Sequence, residues 1–399
     1  MRNLLKRSWV EINLDHLAEN LSVIREQVPN KQLMAIVKAD AYGHGDHMIA
    51  RELNRLGVSF FGVSNLEEAL SLRQAEVTGE ILILGFTPTE YAEVLASQNI
   101  TQTVFCKEYA EELNAAAVMS GVRVKAHLKI DTGMGRIGFV QNGAQDATEE
   151  ILSVAALAGL QIEGIFSHFS VADTTDADSE EYTAAQQQVF DALVIKLQKA
   201  GVSLPCVHIQ NSAGIIRHPD PLCNMVRMGI SMYGLSPSPA FQGLISVKPL
   251  MEMKTTIAMI KEIPSGTCIS YGRTFCADRP MRVATVPVGY ADGYRRGLSN
   301  KAIMLLHGKP AAVLGNVCMD QLILDVTDIP QAKAGDTVTV FGRSEEAFLS
   351  VETLAALSGT IGYEIICGIS RRVPRVYIRN GEPIKTVDYL LPNSKTKVF

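Results

Sequence analysis

Short apolar runs recur through the first 235 residues, each followed by a stretch in which apolar positions return every three or four residues. The runs near 33–38, 60–65, 81–85, 101–106, 123–131, 162–169, 206–212 and 225–232 are too short for helices and rich in β-formers, so they predict strands. The stretches near 15–28, 46–57, 66–75, 88–97, 107–119, 143–158 and 178–200 carry the helical period. Eight strands alternating with helices predict an α/β chain that opens with a (β/α)8 barrel. An open doubly wound sheet has the same periodicity and stays an alternative.

The texture changes after Leu235. Ser-Pro-Ser-Pro-Ala at 236–240 reads as a linker, and beyond it alternating runs such as Arg282-Val-Ala-Thr-Val-Pro-Val and Thr337-Val-Thr-Val-Phe-Gly predict strands joined by glycine turns. One helix is expected near 350–358. The chain therefore divides into a barrel domain, 1–240, and a mostly β domain, 241–399. Ser8-Trp-Val-Glu-Ile-Asn-Leu14 alternates like a strand and precedes the barrel, so residues 1–14 can pair with the β domain.

Composition narrows the setting. The 399 residues are 47% hydrophobic and 20% charged, with a formal net charge of −5, which gives no reason to expect nucleic acid or an anionic membrane as partner. The basic N-terminus lacks an apolar core long enough for a signal peptide, and no stretch approaches a membrane span, so the cytoplasm is the expected location. The seven cysteines (106, 206, 223, 268, 276, 318, 367) form no C-x-x-C pair and no cluster at metal spacing. Reduced, mostly buried thiols are expected, with no metal.

In a barrel of this kind, function gathers at the carboxyl ends of the strands. There the sequence places Lys38 after strand 1, Lys129 with Asp131 and Arg136 at strand 5, and His168 at strand 6. Asn211 and Ser212 end strand 7, and Arg227, Gly229 and Ile230 lie on or after strand 8. A lysine at the end of a buried strand loses hydration and becomes a nucleophilic amine, although a snorkelling lysine would look the same. Phosphate sites in barrels commonly follow strands 7 and 8, where Ser212 can donate, Gly229 permits close backbone approach and a short helix starts. For Ser212 alone, an ordinary helix cap is an equal alternative. An imine-forming lysine and a phosphate cradle in one barrel mouth point to pyridoxal 5′-phosphate.

Ala35-Ile-Val-Lys-Ala-Asp-Ala-Tyr-Gly-His-Gly resembles the cofactor-attachment signature of the bacterial alanine racemases, the fold type III pyridoxal-phosphate enzymes. The similarity continues through Leu128-Lys-Ile-Asp-Thr-Gly-Met-Gly-Arg-Ile-Gly, Phe166-Ser-His-Phe, Gln210-Asn-Ser-Ala and Val226-Arg-Met-Gly-Ile-Ser-Met-Tyr-Gly. In the second domain it includes Ile269-Ser-Tyr-Gly-Arg-Thr-Phe, Val288-Gly-Tyr-Ala-Asp-Gly-Tyr, Asn316-Val-Cys-Met-Asp-Gln and Ile361-Gly-Tyr-Glu.

The resemblance implies an isomerase that interconverts L- and D-alanine for peptidoglycan, working as a homodimer with shared active sites. Lys38 would hold the cofactor and act as one acid/base, and Tyr271 from the other subunit would be the second. Arg227 would pair with the pyridine nitrogen; a guanidinium donates but does not readily give up a proton, so the ring stays a weak electron sink. Arg136 would contact the substrate carboxylate and the cofactor, with Lys129 carbamylated to fix it. A plain lysine paired with Asp131 is the alternative for Lys129. Tyr42, His168, Asn211, Ser212, Gly229, Ile230 and Tyr363 resemble the remaining cofactor-binding set. Met319 would touch the substrate carboxylate through its backbone, and Asp173, Tyr290 and Arg296 resemble the entrance. His44 reads as a turn residue. Asn316 departs from the family, many of whose members carry arginine or another longer polar residue there. A serine or broad-specificity racemase, a decarboxylase on the same scaffold and a non-enzymatic pyridoxal-phosphate carrier are the competing readings. Arg227 argues against the decarboxylase, Tyr363 against serine, and the added β domain against the carrier.

Overall fold

The structure is a computed structural model that describes residues 7–391; the first residues of the basic N-terminus, 1–6, lie outside them. Two compact units emerge. One comprises Ala18–Ala41 and Asp46–Lys248, and the other takes the remaining described residues up to Leu17, Tyr42–Gly45 and from Pro249 onward.

The first unit is a nearly closed parallel barrel. Its strands are Gln32–Ile36, Phe60–Val63, Glu80–Ile83, Ile100–Val104, Val124–Asp131, Leu160–Phe166, Cys206–His208 and Met225–Met228. From the first to the seventh, each pairs in parallel with the next, and the eighth pairs with the first. Between strands 7 and 8 the gap is bridged by the Asn224 and Arg227 amides, which donate to the Val207 and Gln210 carbonyls at 3.1 Å each. Both faces of such a sheet are covered, which is why Leu33 through Val37 are all buried and read as an unbroken apolar run. The helices bury one stripe each. In Ala177–Lys199 the buried positions Thr183, Gln186, Phe190, Leu193 and Leu197 recur at three- and four-residue spacing, and the Asp176 side chain caps the start by accepting from the Ser179 amide.

The second unit is built on an eleven-stranded, mostly antiparallel sheet. Ser8–Asn13 pairs antiparallel with Met251–Thr256 and parallel with Arg375–Arg379, so the start of the chain is stitched into strands from its far end. The expected helix is Val351–Ser358; a second, Gly362–Cys367, carries Tyr363 and had no strong periodic signal. A separate two-stranded hairpin, Cys268–Ile269 with Phe275–Cys276, projects Tyr271 at its tip. The expectation of reduced thiols fails here: Cys268 and Cys276 are disulfide-bonded, because hairpin register sets them directly opposite each other. The remaining five cysteines are not disulfide-bonded.

After strand 1 the backbone makes one left-handed turn. Ala39, Asp40, Ala41 and Tyr42 all have φ between 51° and 55°, a conformation that costs a non-glycine residue roughly 1–2 kcal/mol. Local bonds hold it: the Ala39 amide donates to Glu68 Oε1 at 2.7 Å, and the Ala41 amide to the Val37 carbonyl at 2.9 Å. Gly43 follows at φ 80°, where an added Cβ would lie 2.2 Å from the Ile366 carbonyl oxygen. Four strained non-glycine residues in a row mark a segment whose shape is fixed by its surroundings.

Candidate active site

The barrel mouth gathers most of the cationic residues read from the sequence. Lys38 stands half-buried where strand 1 gives way to the left-handed turn. Lys129, on strand 5, is buried with its amine donating to the Ile130 carbonyl at 2.7 Å. Asp131 is turned elsewhere: its carboxylate accepts from the Gly133 and Gly135 amides at 3.0 Å each, and no ion pair joins it to Lys129. Burial pushes that carboxylate up, but the amides outweigh it and hold Asp131 below the usual range. The Gly133–Gly135 turn carries exposed Arg136, whose charge bears on Lys129, His168 and Arg227.

Arg227 is the organising residue. Buried on strand 8, it donates through Nη1 to His208 Nδ1 at 2.7 Å, and through Nη2 to His168 Nδ1 at 2.9 Å and to the Ser167 and Ile209 carbonyls at 2.8 Å. A guanidinium has no acceptor, so both imidazoles must present bare Nδ1 atoms and keep their protons on Nε2. His208 Nε2 then donates to His127 Nδ1 at 3.0 Å, which extends the chain into strand 5. Burial and then the Arg227 charge drive His168 and His208 well below the ordinary histidine value, and His127 down to about 3. His168 therefore offers a neutral N–H to the site and no charge. The same burial lowers Arg227 to about 10, still protonated near neutrality. Phe166 is stacked on His208 with ring planes 3° apart, and both Lys129 Nζ and the Arg227 guanidinium lie 5.4 Å from its centre.

Three cations crowd one mouth, and the cost falls on the lysine. Burial first, then Arg227 and Arg136, lower Lys129 to about 7, with Asp131 opposing. Its amine is substantially neutral at physiological pH, unlike an ordinary lysine.

After strands 7 and 8 lies a cluster of polar donors. Asn211 caps the helix Ser212–Arg217 by accepting from the Gly214 amide at 2.9 Å, so the capping role open to Ser212 falls to its neighbour. Ser212 Oγ instead accepts from the Gly229 amide at 3.1 Å and the Ser231 amide at 3.4 Å. The amide of Ile230 opens the next short helix, Ile230–Tyr233. Ser231 Oγ, which the sequence reading missed, is buried with no hydrogen-bond partner among the described residues. An orphaned hydroxyl beside Ser212 and these amides is the donor set a phosphate monoester requires. His127 and His208 were also missed; the available signal was a histidine inside each of two barrel strands. Asp173 is half-buried, and its carbonyl accepts from Ser238 Oγ.

The second unit holds the other predicted residues. Tyr42 is buried, which raises its phenol, with Cys367 adding to the rise, and its ring centre lies 6.1 Å from that of Tyr363. His44 is buried, with Nδ1 3.0 Å from the Tyr42 carbonyl oxygen, consistent with a turn residue. Tyr271 is 74% exposed, Met319 52% and Tyr290 43%. Backbone contacts join Met319 to the turn that carries Tyr290. The Tyr290 and Ala291 amides donate to the Cys318 and Met319 carbonyls at 3.1 and 3.0 Å, and a Cβ on Gly289 would meet both carbonyl oxygens at 2.3 Å. Asn316 Nδ2 donates to the Tyr271 carbonyl at 2.7 Å. Arg296 is exposed beside Tyr290, lining the same shallow pocket.

Comparisons with known proteins agree along the chain. Residues 12–237 match the family described as alanine racemase, N-terminal domain, and residues 250–377 match alanine racemase, C-terminal domain. Alanine racemase 1 of Clostridium acetobutylicum is 41% identical over 383 residues, 96% of this chain and 98% of that protein. Alanine racemase 2 of Caldanaerobacter subterraneus is 42% identical over 387 residues, 97% of this chain and 98% of that protein. Among solved structures, the alanine racemase of Clostridium difficile 630 superposes with a TM-score of 0.91 at 38% identity, covering 97% of this chain and 100% of that one. That of Bacillus anthracis with bound L-Ala-P does so at 0.89 and 35%, covering 97% and 99%. With a nearly closed parallel barrel, a mostly β second unit and full-length similarity above 40%, the chain belongs to the alanine racemase family.

Proposed function

We propose that this protein racemises alanine with pyridoxal 5′-phosphate, using Lys38 and Tyr271 as acid/base groups on opposite faces of the substrate Cα. The observation that carries the reading is Arg227. It is buried, cationic and locked by two neutral imidazoles, on the strand that leads into Gly229 and Ser231 of the donor cluster they form with Ser212. When bound, pyridoxal phosphate supplies the electron sink that acidifies the substrate Cα–H. Arg227 would hold its ring nitrogen, and Ser212, Ser231, the Gly229 and Ile230 amides, Tyr42 and Tyr363 its phosphate. Because Arg227 keeps its own proton, it limits the sink and favours return of a proton over side reactions.

Lys38 holds a proton at Nζ on one face, and Tyr271 moves one through its phenol oxygen on the other. Arg136 would bind the substrate carboxylate. Lys129 is suited to carbamylation, since only a neutral amine attacks carbon dioxide and burial among cations lowers this one to about 7. Tyr271 and Met319 are exposed, which fits a role toward a second subunit in a homodimer. Asp173, Tyr290 and Arg296 would line the entrance. Among the described residues no helix is long and apolar enough to cross a membrane, and we place the enzyme in the cytoplasm, supplying D-alanine for peptidoglycan.

The decisive experiment measures loss of optical rotation from L-alanine, L-serine and L-leucine alongside the visible absorption of bound cofactor. Alanine should be racemised fastest. Cofactor absorption without racemisation would replace this reading with a carrier, and serine outpacing alanine would replace it with a serine racemase.

A further inference from the structure

Tyr271 sits at the tip of the smallest sheet in the molecule. Its hairpin has only two residue pairs, Cys268 with Cys276 and Ile269 with Phe275, and a two-stranded ribbon of that length is marginal by itself. The tip is also strained. Ser270 has φ 64°, Gly272 73° and Arg273 47°, so two non-glycine residues flank the tyrosine turn in the left-handed region. Such a tip keeps its shape only where something over-determines it.

Three tethers do so. Ile269 packs inward with Ile263, Met281, Val283 and Leu314, and Phe275 packs against the same cluster. At the tip, Ser270 Oγ donates to the Asn316 carbonyl at 2.5 Å while Asn316 Nδ2 donates to the Tyr271 carbonyl at 2.7 Å. The third tether is covalent. Strand alternation sends Cys268 and Cys276 to the face opposite Ile269 and Phe275, where both are exposed and bonded to each other across eight positions of sequence. The other five cysteines are in no disulfide, so the one bridge in the described residues encloses Tyr271.

We propose that the Cys268–Cys276 bridge is a positioning clasp for Tyr271: closed, it holds the tyrosine tip in register for proton transfer, and opened, it slows racemisation without weakening substrate or cofactor binding. The proposal rests on the reading of Tyr271 as an acid/base group. A proton-transfer group tolerates little displacement, and an error of about 1 Å can cost roughly 100-fold in rate. Because both sulfurs are exposed, the clasp is open to exchange with small thiols and makes the rate responsive to redox conditions. Neither cysteine touches the reacting atoms in this scheme; both act through Tyr271.

The test uses the cofactor-loaded enzyme and a water-soluble trialkylphosphine. Phosphorus attacks one sulfur and the S–S bond breaks. Water then gives its oxygen to phosphorus, so the phosphine leaves as its oxide and the cysteines become two thiols. Thiol titration before and after counts the bridge. On opening, kcat should fall about ten-fold, with KM for alanine and the cofactor absorption changing less than two-fold. Oxidised glutathione, which re-forms the bridge by two exchanges and releases two glutathione thiols, should restore the rate. The Cys268→Ser/Cys276→Ser variant should match the reduced enzyme and ignore both reagents. With Cα-deuterated substrates, opening should raise the isotope effect for one enantiomer and not the other, a signature that general loosening would not give. Complete opening with kcat unchanged overturns the clasp, as does a fall in cofactor absorption that accounts for the lost rate. Tyr271→Phe separates the two readings: if that variant racemises normally, the role of Tyr271 fails, whereas an inactive Tyr271→Phe beside a rate-neutral clasp removes only the present inference.

Discussion

The two halves of the proposed site are built in opposite ways. In the barrel, Arg227, Lys129, His208 and Ser212 are buried, and their side-chain atoms are tied to one another and to strand carbonyls. In the β unit, Tyr271, Tyr290 and Met319 are exposed, and what is held is their backbone: Asn316 grips the Tyr271 carbonyl, and the Gly289 turn receives the Cys318 and Met319 carbonyls. Buried groups have their ionisation fixed by neighbours, which suits binding and electrostatic tuning. Exposed groups on a braced backbone keep their side chains for a surface supplied by another molecule. The contrast makes the β half sensitive to position and the barrel half sensitive to charge.

The sharpest way to break this comparison is to remove one acid/base group from each half. Lys38→Ala should abolish both cofactor absorption and racemisation. Tyr271→Phe should lower kcat about a thousand-fold while leaving cofactor absorption intact. If Tyr271→Phe loses the cofactor as well, the two halves do not divide binding from proton transfer as described.

Stability should divide the halves next. Arg227→Ala strands two histidine Nδ1 atoms and several carbonyls, and should cost roughly 3 kcal/mol in a urea unfolding midpoint analysis. Tyr271→Ala, at an exposed tip, should stay within about 0.5 kcal/mol. Equal losses would mean that the β half is bound into the core more firmly than its exposure indicates.

Lys129 gives a pH test of intermediate size. Its folded amine releases a proton near pH 7, whereas the unfolded amine holds it to about pH 10.4. Between those values the unfolded chain binds more protons, so this group's contribution makes the uncarbamylated fold more stable as pH rises through the window. Carbamylation needs the neutral amine, so a bicarbonate-dependent gain in activity should be present above pH 7 and fade below it. Lys129→Ala should lose about ten-fold in kcat, consistent with a lost electrostatic contact, and recover with acetate. The same rate at pH 8 with and without bicarbonate would remove the carbamate.

The smallest effect concerns selectivity. Tyr363→Ala should raise the serine-to-alanine ratio of kcat/KM by several-fold, as expected for opening one side of a small pocket. An unchanged ratio would place the selection elsewhere, with Asn316 the next residue to exchange.

Much of this was legible before any coordinates. Strand ends and helix starts follow from periodicity because a parallel barrel buries both faces of its sheet, and that leaves an unmistakable alternation of apolar runs with amphipathic stretches. Lys38, Lys129, His168, Ser212 and Arg227 could be named because each stands at the end of such a run. The histidine chain was not legible: His127 and His208 are 81 residues apart on strands 5 and 7, and only the folded barrel brings a ring nitrogen of each to 3.0 Å. Nor was the left-handed turn, since alanine and tyrosine carry no preference for positive φ and adopt it under constraint from Glu68 and the packed segments around them.

The sequence alone determined the inventory of chemistry: an amine, a phenol, a guanidinium and the polar groups proposed to cradle a phosphate, together with the order of elements that carries them. Tertiary structure decided their states. It lowered the Lys129 amine by burying it and then crowding it with cations, and kept His168 and His208 uncharged by burying them against Arg227. It also placed two cysteines, unremarkable in the sequence, across the hairpin that carries Tyr271. Charge states and pairings depend on distances between groups far apart in the chain, and those distances exist only once the chain has folded.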